Sequence, residues 1–295
     1  MKKYELTDET KTIEEKTLYR IKALRDFGDV ISGDLGGFVE YEDNLSHAGD
    51  CWIYSEALVF DKARITQNSR VYDNAWVFGN AEVYDNAKVS ENSRISKDVS
   101  IYENAKIFGN ARISDNAKIF GNAKIFSCAW ISENARVSDN AKIFGNAKIS
   151  GITKICDNVK IYQGAHVSGN SQVYENASIF GNSKIYGNAT VFGSSVISDT
   201  AKVLGNSKIF GYAKVSGNAQ ISGNALISGE AEVFDETRVY EKAKVYGSAR
   251  VSERSDIYGN AKVLGNTEIF GNAKVFGDAK LEGNIKIFGN ERISI

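Results

Sequence analysis

The 295-residue sequence has no proline, a single methionine and only two histidines, and its 36 basic and 37 acidic residues nearly cancel. Near-neutrality argues against a surface that binds polyanions wholesale or that mimics DNA. The three cysteines, Cys51, Cys128 and Cys156, stand singly. An odd, widely spaced set offers neither a disulfide framework nor metal-ligand spacing, so no metal is expected, and it reads as reduced thiols in a cytoplasm. The opening residues, Met1 to Asp8, lack the apolar core of a secretory leader, and no run approaches membrane-spanning length. A phosphate-cradling glycine loop, a nucleophile elbow and a carboxylate pair are also missing, so no cofactor is expected.

What the chain does have is one six-residue phrase, plainest as Ile107 to Arg112 or Ile119 to Lys124. Stepping by six from Ile53 to Ile293 lands on Ile or Val every time, apart from Leu281. With that position numbered 1, position 5 is Ala, Ser or Thr except at Val99, Val159, Ile285 and Glu291. Position 4 is usually Asn, position 3 Gly, Asp or Glu, position 6 Lys or Arg, and position 2 Phe, Tyr or Ser. A fixed short period sets the architecture before any other feature does.

Positions 5 and 1 lie two apart and share one face of a strand, while positions 6 and 2 share the other. Each hexad then reads as a four-residue strand, 5-6-1-2, and a two-residue corner, 3-4. Asn and Gly tolerate the left-handed backbone that a sharp corner needs. A helix is excluded, because Gly-Asn every six residues breaks it and the apolar positions keep to no helical face. Strands this short bury little alone, so three hexads close an 18-residue triangular coil. Successive coils stack at about 4.8 Å as parallel ladders. The pattern resembles the hexapeptide repeat of left-handed parallel β-helices, and that resemblance supplies the handedness, since general crossover rules favour the opposite sense. The expected fold is an all-β, left-handed parallel β-helix solenoid with an N-terminal β-hairpin cap, divided into a cap over 1–34 and a β-helix over 35–295.

In the cap, Tyr4 and Leu6 alternate, as do Leu18 to Leu24, which predicts a hairpin followed by a turn around Phe27-Gly28-Asp29. A first coil exposes its core and an unpaired edge, which such a hairpin would cover. Residues 35–52 are expected to keep the register, with Leu35, Tyr41 and His47 at position 1 and Val39, Leu45 and Cys51 at position 5. Gly33-Asp34-Leu35-Gly36-Gly37-Phe38-Val39, Asn44-Leu45-Ser46 and Gly49-Asp50-Cys51-Trp52-Ile53-Tyr54 resemble the N-terminal region of YdcK-type hexapeptide-repeat proteins. Those are bacterial and phage-borne, and their acyltransferase label rests on their fold. The segment Tyr4 to Asp29 is similar to the phage-borne members, which implies a host protein as partner. From residue 35 the count gives about 14.5 coils and a rod on the order of 65–70 Å long. The C-terminal edge, Lys286 to Ile295, is expected to pair with the same edge of a second chain.

Residues 18 apart share a face. The first face carries five successive aromatic residues at position 2, Phe108, Phe126, Phe144, Tyr162 and Phe180. Beside them at position 6 run Arg70, Lys88, Lys106, Lys124, Lys142 and Lys160. An exposed aromatic ladder marks an interface. Aromatic plus basic residues also suit single-stranded nucleic acid, the less favoured ligand. Cross-coil stacking alone is worth roughly 0.2–1 kcal/mol per pair, so a purely structural ladder is the competing reading. The second face carries Ser96, Ser114, Ser132, Ser150 and Ser168 instead, and His166 points outward beside the last two.

Acyltransferases of the hexapeptide class place a catalytic His near a subunit boundary, which makes His166 the weak catalytic candidate; His47 reads as a core or capping residue. The metal-dependent carbonic anhydrases of this fold need three His ligands, and two cannot supply them. The expected function is a non-enzymatic binding or assembly rod that acts on a protein partner or on itself. The alternatives are an acyltransferase-like enzyme with sites between subunits and a single-strand nucleic-acid binder.

Overall fold

The computed structural model describes residues 2–13 and 15–294, and the chain forms two compact units, residues 1–145 and 146–295. In the first unit, β1 (Tyr4–Ile13) and β2 (Lys16–Ala23) form the expected antiparallel hairpin, from Tyr4 opposite Ala23 to Ile13 opposite Lys16. β2 continues antiparallel onto β3 (Leu35–Val39), and β3 runs parallel to Leu58–Val59, so the hairpin hands its edge to the coils. Leu18 packs with Phe38, Leu58 and Phe60 in one buried cluster. Tyr4 is fully buried, and its hydroxyl donates to the carbonyls of Glu42 (2.5 Å) and Leu45 (3.0 Å). Lys3 is buried beside it, and Nζ donates to the carbonyl of Cys51 at 2.8 Å and lies 3.2 Å from the Cys51 sulfur.

The first coil departs from the expected register. Val39 pairs with Val59 and Leu45 bridges Ile65, twenty residues on, where regular coils step by eighteen. Val39 and Leu45 therefore stand at position 1, and the two surplus residues are taken up before Trp52, which pairs regularly with Arg70. Leu35 and Tyr41, expected inward, are each 57 % exposed, and His47 is half-buried. Phe38 and Trp52 stand at position 6, opposite Leu58 and Arg70, and the cap buries them from outside: Trp52 lies against Tyr4 and Phe27, and Phe38 in the cluster with Leu18.

From Ile53 the hexads repeat without interruption. In most hexads positions 6 and 1 alone pair as strand, for example Lys106–Ile107 with Lys124–Ile125, while near the end of the second unit the pairing extends to position 3, as Lys262–Gly265 with Lys280–Gly283. The amides of positions 2, 4 and 6 donate to the following coil, as Phe108 to Ile125 (3.0 Å), Asn110 to Ser127 (2.7 Å) and Arg112 to Ala129 (2.9 Å). Position 5 turns inward early, and its amide closes onto the position-2 carbonyl of its own hexad, as in Ala123 to Phe120. The strand is thus shorter than the four residues expected. Positions 1 and 5 are solvent-free along the regular coils of each unit. A serine is tolerated at position 5 because its hydroxyl donates to that same carbonyl, at 2.8 Å from Ser195 to Phe192.

The left-handed backbone sits at position 3 alone, in glycines such as Gly121 (φ 69°) and in acids such as Asp85 (φ 55°). A non-glycine residue there costs roughly 1–2 kcal/mol. The acids offset this by reaching along the stack: Asp85 accepts the amide of Glu103 (3.0 Å), and Glu103 accepts that of Gly121 (2.8 Å). Asn at position 4 completes the expected two-residue corner without adopting the left-handed backbone. It also builds amide ladders, such as Asn122 to Asn140 at 3.3 Å.

The second unit repeats the construction, beginning with Lys160–Ile161 against Ser178–Ile179. Of the expected edge from Lys286 to Ile295, residue 295 lies outside the described residues. Lys286–Ile287 and Arg292–Ser294 pair with Glu268–Ile269 and Lys274–Phe276 of the preceding coil. Among the described residues no helix is long and apolar enough to cross a membrane.

Candidate binding face

In the first unit, position 6 of the first face is cationic from Arg70 through Lys88, Lys106 and Lys124 to Lys142, each in register with the next. Asp29, at the end of the cap, holds Arg70 at 2.8 Å. Among the described residues, Lys88, Lys106, Lys124 and Lys142 have no ion-pair partner. Acidic corners of this unit, such as Asp73 and Asp115, are engaged elsewhere. Asp73 clamps the Glu91 amide at 3.1 Å, and Asp115 holds both the Glu133 amide and Lys97. Like charges about 4–5 Å apart repel by roughly 1 kcal/mol even in water, so the column carries an unmet electrostatic demand.

In the second unit position 6 carries both signs: Lys214 meets Glu232 at 3.0 Å and Lys286 meets Glu268 at 2.9 Å. A second groove of that unit, near Arg238 and Arg254, is likewise satisfied internally. Arg238 grips Asp256 with two bonds of 2.7 and 2.8 Å, and Arg254 meets Glu236 at 3.0 Å.

The unpaired cations line one wall of an open groove of about 640 Å³. The opposite wall is the corner column Asn68, Asn86, Asn104 and Asn122, with Asp50 at one end. These asparagines belong to the site although their sequence pattern suggested only corners; reading position 4 in steps of 18, as for positions 2 and 6, would have found them.

On the far side of the cations stand the aromatics. Phe108 and Phe126 stack at 4.9 Å between centroids and 0° between planes, and Phe126 and Phe144 at 4.8 Å and 3°. In the second unit Tyr162 stacks on Phe180 at 5.0 Å. The rings cover one another's faces and are half-buried, so what they present outward is edges. Similar stacks occur on other faces, as Tyr84 on Tyr102 and Tyr240 on Tyr258. The aromatic column by itself does not single out the first face; the unpaired cations beside it do.

His166 lies half-buried between Lys148 and Lys184 of the neighbouring coils. Burial first, then these two cations, hold its imidazole below the usual histidine range. His47 accepts the Lys3 amide on Nδ1 (3.2 Å), which leaves Nε2 protonated and directed at Glu42 (2.9 Å). Both ring nitrogens are committed, so His47 ties the cap to the first coil and offers no free nitrogen for proton transfer.

This architecture is that of the hexapeptide-repeat β-solenoids. The model of the YdcK β-solenoid repeat matches residues 184–199 and 219–232, in the regular hexads of the second unit. The chain is similar to the uncharacterized acetyltransferase YdcK of Escherichia coli K12, 38 % identical over 80 residues, 24 % of each chain. The matched stretch is thus about a quarter of that relative. Among solved structures, the Arabidopsis UDP-N-acetylglucosamine acyltransferase aligns over 65 % of this chain and 71 % of its own, at 15 % identity and a TM-score of 0.37. The UDP-N-acetylglucosamine O-acyltransferase of Moraxella catarrhalis covers 60 % and 71 %, at 15 % identity and a TM-score of 0.22.

Proposed function

We propose that the protein is a non-enzymatic binding scaffold that docks a protein partner on the first face, a host protein if the chain is phage-borne. The observation that carries this is the run of position-6 cations in the first unit, left without counter-charges beside the ring edges of Phe108, Phe126 and Phe144. A surface that only stabilised itself would alternate charge, as the second unit does through Lys214 and Glu232. The test is capture from bacterial lysate by the tagged protein, comparing the natural chain with Phe126→Ser/Phe144→Ser. One dominant protein held by the first and lost by the second supports docking. Identical eluates remove it.

The similarity to a protein named an acetyltransferase supports a second reading, an acyltransferase-like enzyme with His166 as base. Neighbouring lysines that keep an imidazole neutral would favour that role. Acyl-CoA binding by calorimetry with turnover lost in His166→Ala would favour the enzyme; no heat with acetyl-CoA would set it aside.

A further inference from the structure

We infer that the groove of the first unit binds an extended acidic polypeptide segment, an assignment that rests on the docking reading and names the chemistry of the docked element.

Three features select this ligand. Lys88, Lys106 and Lys124 stand in register without partners and call for a row of anions. The facing asparagines carry both a donor and an acceptor on each side chain. Asn68 donates one N–H to Asn86 at 3.5 Å and Asn122 one to Asn140 at 3.3 Å, so each of these amides keeps a second N–H for a ligand. A polypeptide backbone supplies the complementary carbonyls and N–H groups along its length, whereas a phosphodiester chain supplies acceptors only. The third feature is the aromatic column. Nucleic-acid grooves need exposed ring faces on which bases stack. Here Phe108, Phe126 and Phe144 occupy each other's faces at 4.8–4.9 Å. What remains is a row of ring edges, the electropositive rim of the π system, next to the lysines. Carboxylates are attracted by such a rim, and the apolar stems of glutamate side chains pack on it.

The asparagine wall sets the geometry. An extended chain advances about 3.3 Å per residue, so four coils at about 4.8 Å accommodate five or six residues. Carboxylates on one side of that chain recur at about 6.6 Å, close enough for flexible lysines to follow.

The experiment uses the full-length protein and two fluorescein-labelled probes of similar charge, an oligoglutamate decapeptide and a thymidine decanucleotide, read by anisotropy at 50 mM salt. The expected result is saturable binding of the peptide, at least about tenfold tighter than the oligonucleotide and weakened at least about tenfold at 300 mM salt. Lys106→Glu/Lys124→Glu should abolish it, Asn104→Ala/Asn122→Ala should weaken it several-fold, and Lys208→Glu in the second unit should leave it unchanged. Equal or tighter oligonucleotide binding would overturn the assignment in favour of a phosphate ligand. Peptide binding indifferent to Lys106→Glu/Lys124→Glu, or no binding of either probe, would overturn it outright. Unchanged circular dichroism separates lost binding from lost fold. A lysate partner kept by Lys106→Glu/Lys124→Glu but lost by Phe126→Ser/Phe144→Ser would sink the groove and spare the docking face.

Discussion

At the scale of the residue, two positions in the hexad are governed by where a backbone group finds its partner. Position 5 is enclosed, so a hydroxyl there costs least when it reaches the position-2 carbonyl. Ser195 does so at 2.8 Å, while the hydroxyls of Thr153 and Thr237 have no partner. An unpaired buried hydroxyl costs about 1–3 kcal/mol, and valine already occupies this position at Val99 and Val159. Thr237→Val should therefore stabilise the protein by roughly 1 kcal/mol, whereas Ser195→Ala should cost about as much. Calorimetric melting showing the reverse order would refute the account. Position 3 is governed by its reach along the stack. Asp85→Ala keeps the strained backbone and strips the acceptor from the Glu103 amide. It should lose about 1–2 kcal/mol, and an unchanged melting temperature would show the clamp to be idle.

At the scale of the element, the cap is held by buried polar ties rather than by hairpin propensity. Burial, then the nearby Glu42 charge, pushes the Tyr4 hydroxyl far above its ordinary pKa of 10.0. A tyrosine raised on folding contributes stability that is fully present below pH 10 and lost as pH climbs beyond it, because the unfolded chain ionises first. Lys3 works in the opposite sense. Burial lowers its pKa, so its contribution grows as pH rises toward the ordinary lysine value of 10.5. Stability in urea should thus fall steeply above about pH 10, and Tyr4→Phe should flatten that limb while costing stability at neutral pH. A limb unaltered by Tyr4→Phe would place the alkaline transition elsewhere.

The hairpin was legible in the alternation of Tyr4 with Leu6 and of Leu18 to Leu24, although Leu6 and Leu24 stand exposed and the buried residues are Tyr4, Leu18, Ile21 and Ala23. The first coil's register was not. Leu35, Tyr41 and His47 fit the arithmetic of six, but Val39 and Leu45 take position 1 while the cap buries Phe38 at position 6 against Leu18, a contact between segments that spacing alone does not encode. The candidate site was legible in part. Lys106, Lys124, Phe108 and Phe126 stand out as columns, whereas Asn104 and Asn122 were hidden behind the expectation that asparagine makes corners. That Lys214 finds Glu232 while Lys106 finds no acid could be read only from neighbours eighteen residues apart.

At the scale of the whole molecule, the core repeats every six residues while the surface repeats every eighteen. Folding and display can therefore be separated by deletion within the first unit. Removing residues 89–106, one whole coil, brings Lys88 under Lys124 and preserves the columns. Removing residues 89–94, one hexad, keeps every core position occupied by its kind but turns all later residues onto a different face. Both variants should give β-rich circular dichroism and cooperative melting, and only the first should retain the lysate partner or the acidic peptide. Retention by both would show that the columns carry no recognition.

The corners carry a consequence for the second unit. Gly151, Gly169, Gly187, Gly205 and Gly223 follow one another down one edge, and Gly193, Gly211, Gly229, Gly247, Gly265 and Gly283 down another. No side chain at position 3 stitches those coils together as Asp85 and Glu103 do. Along the first edge the coils are joined instead by the asparagine ladder from Asn170 through Asn188 and Asn206 to Asn224. That seam is fastened by neutral amides, so acid that protonates carboxylate clamps leaves its fastenings untouched.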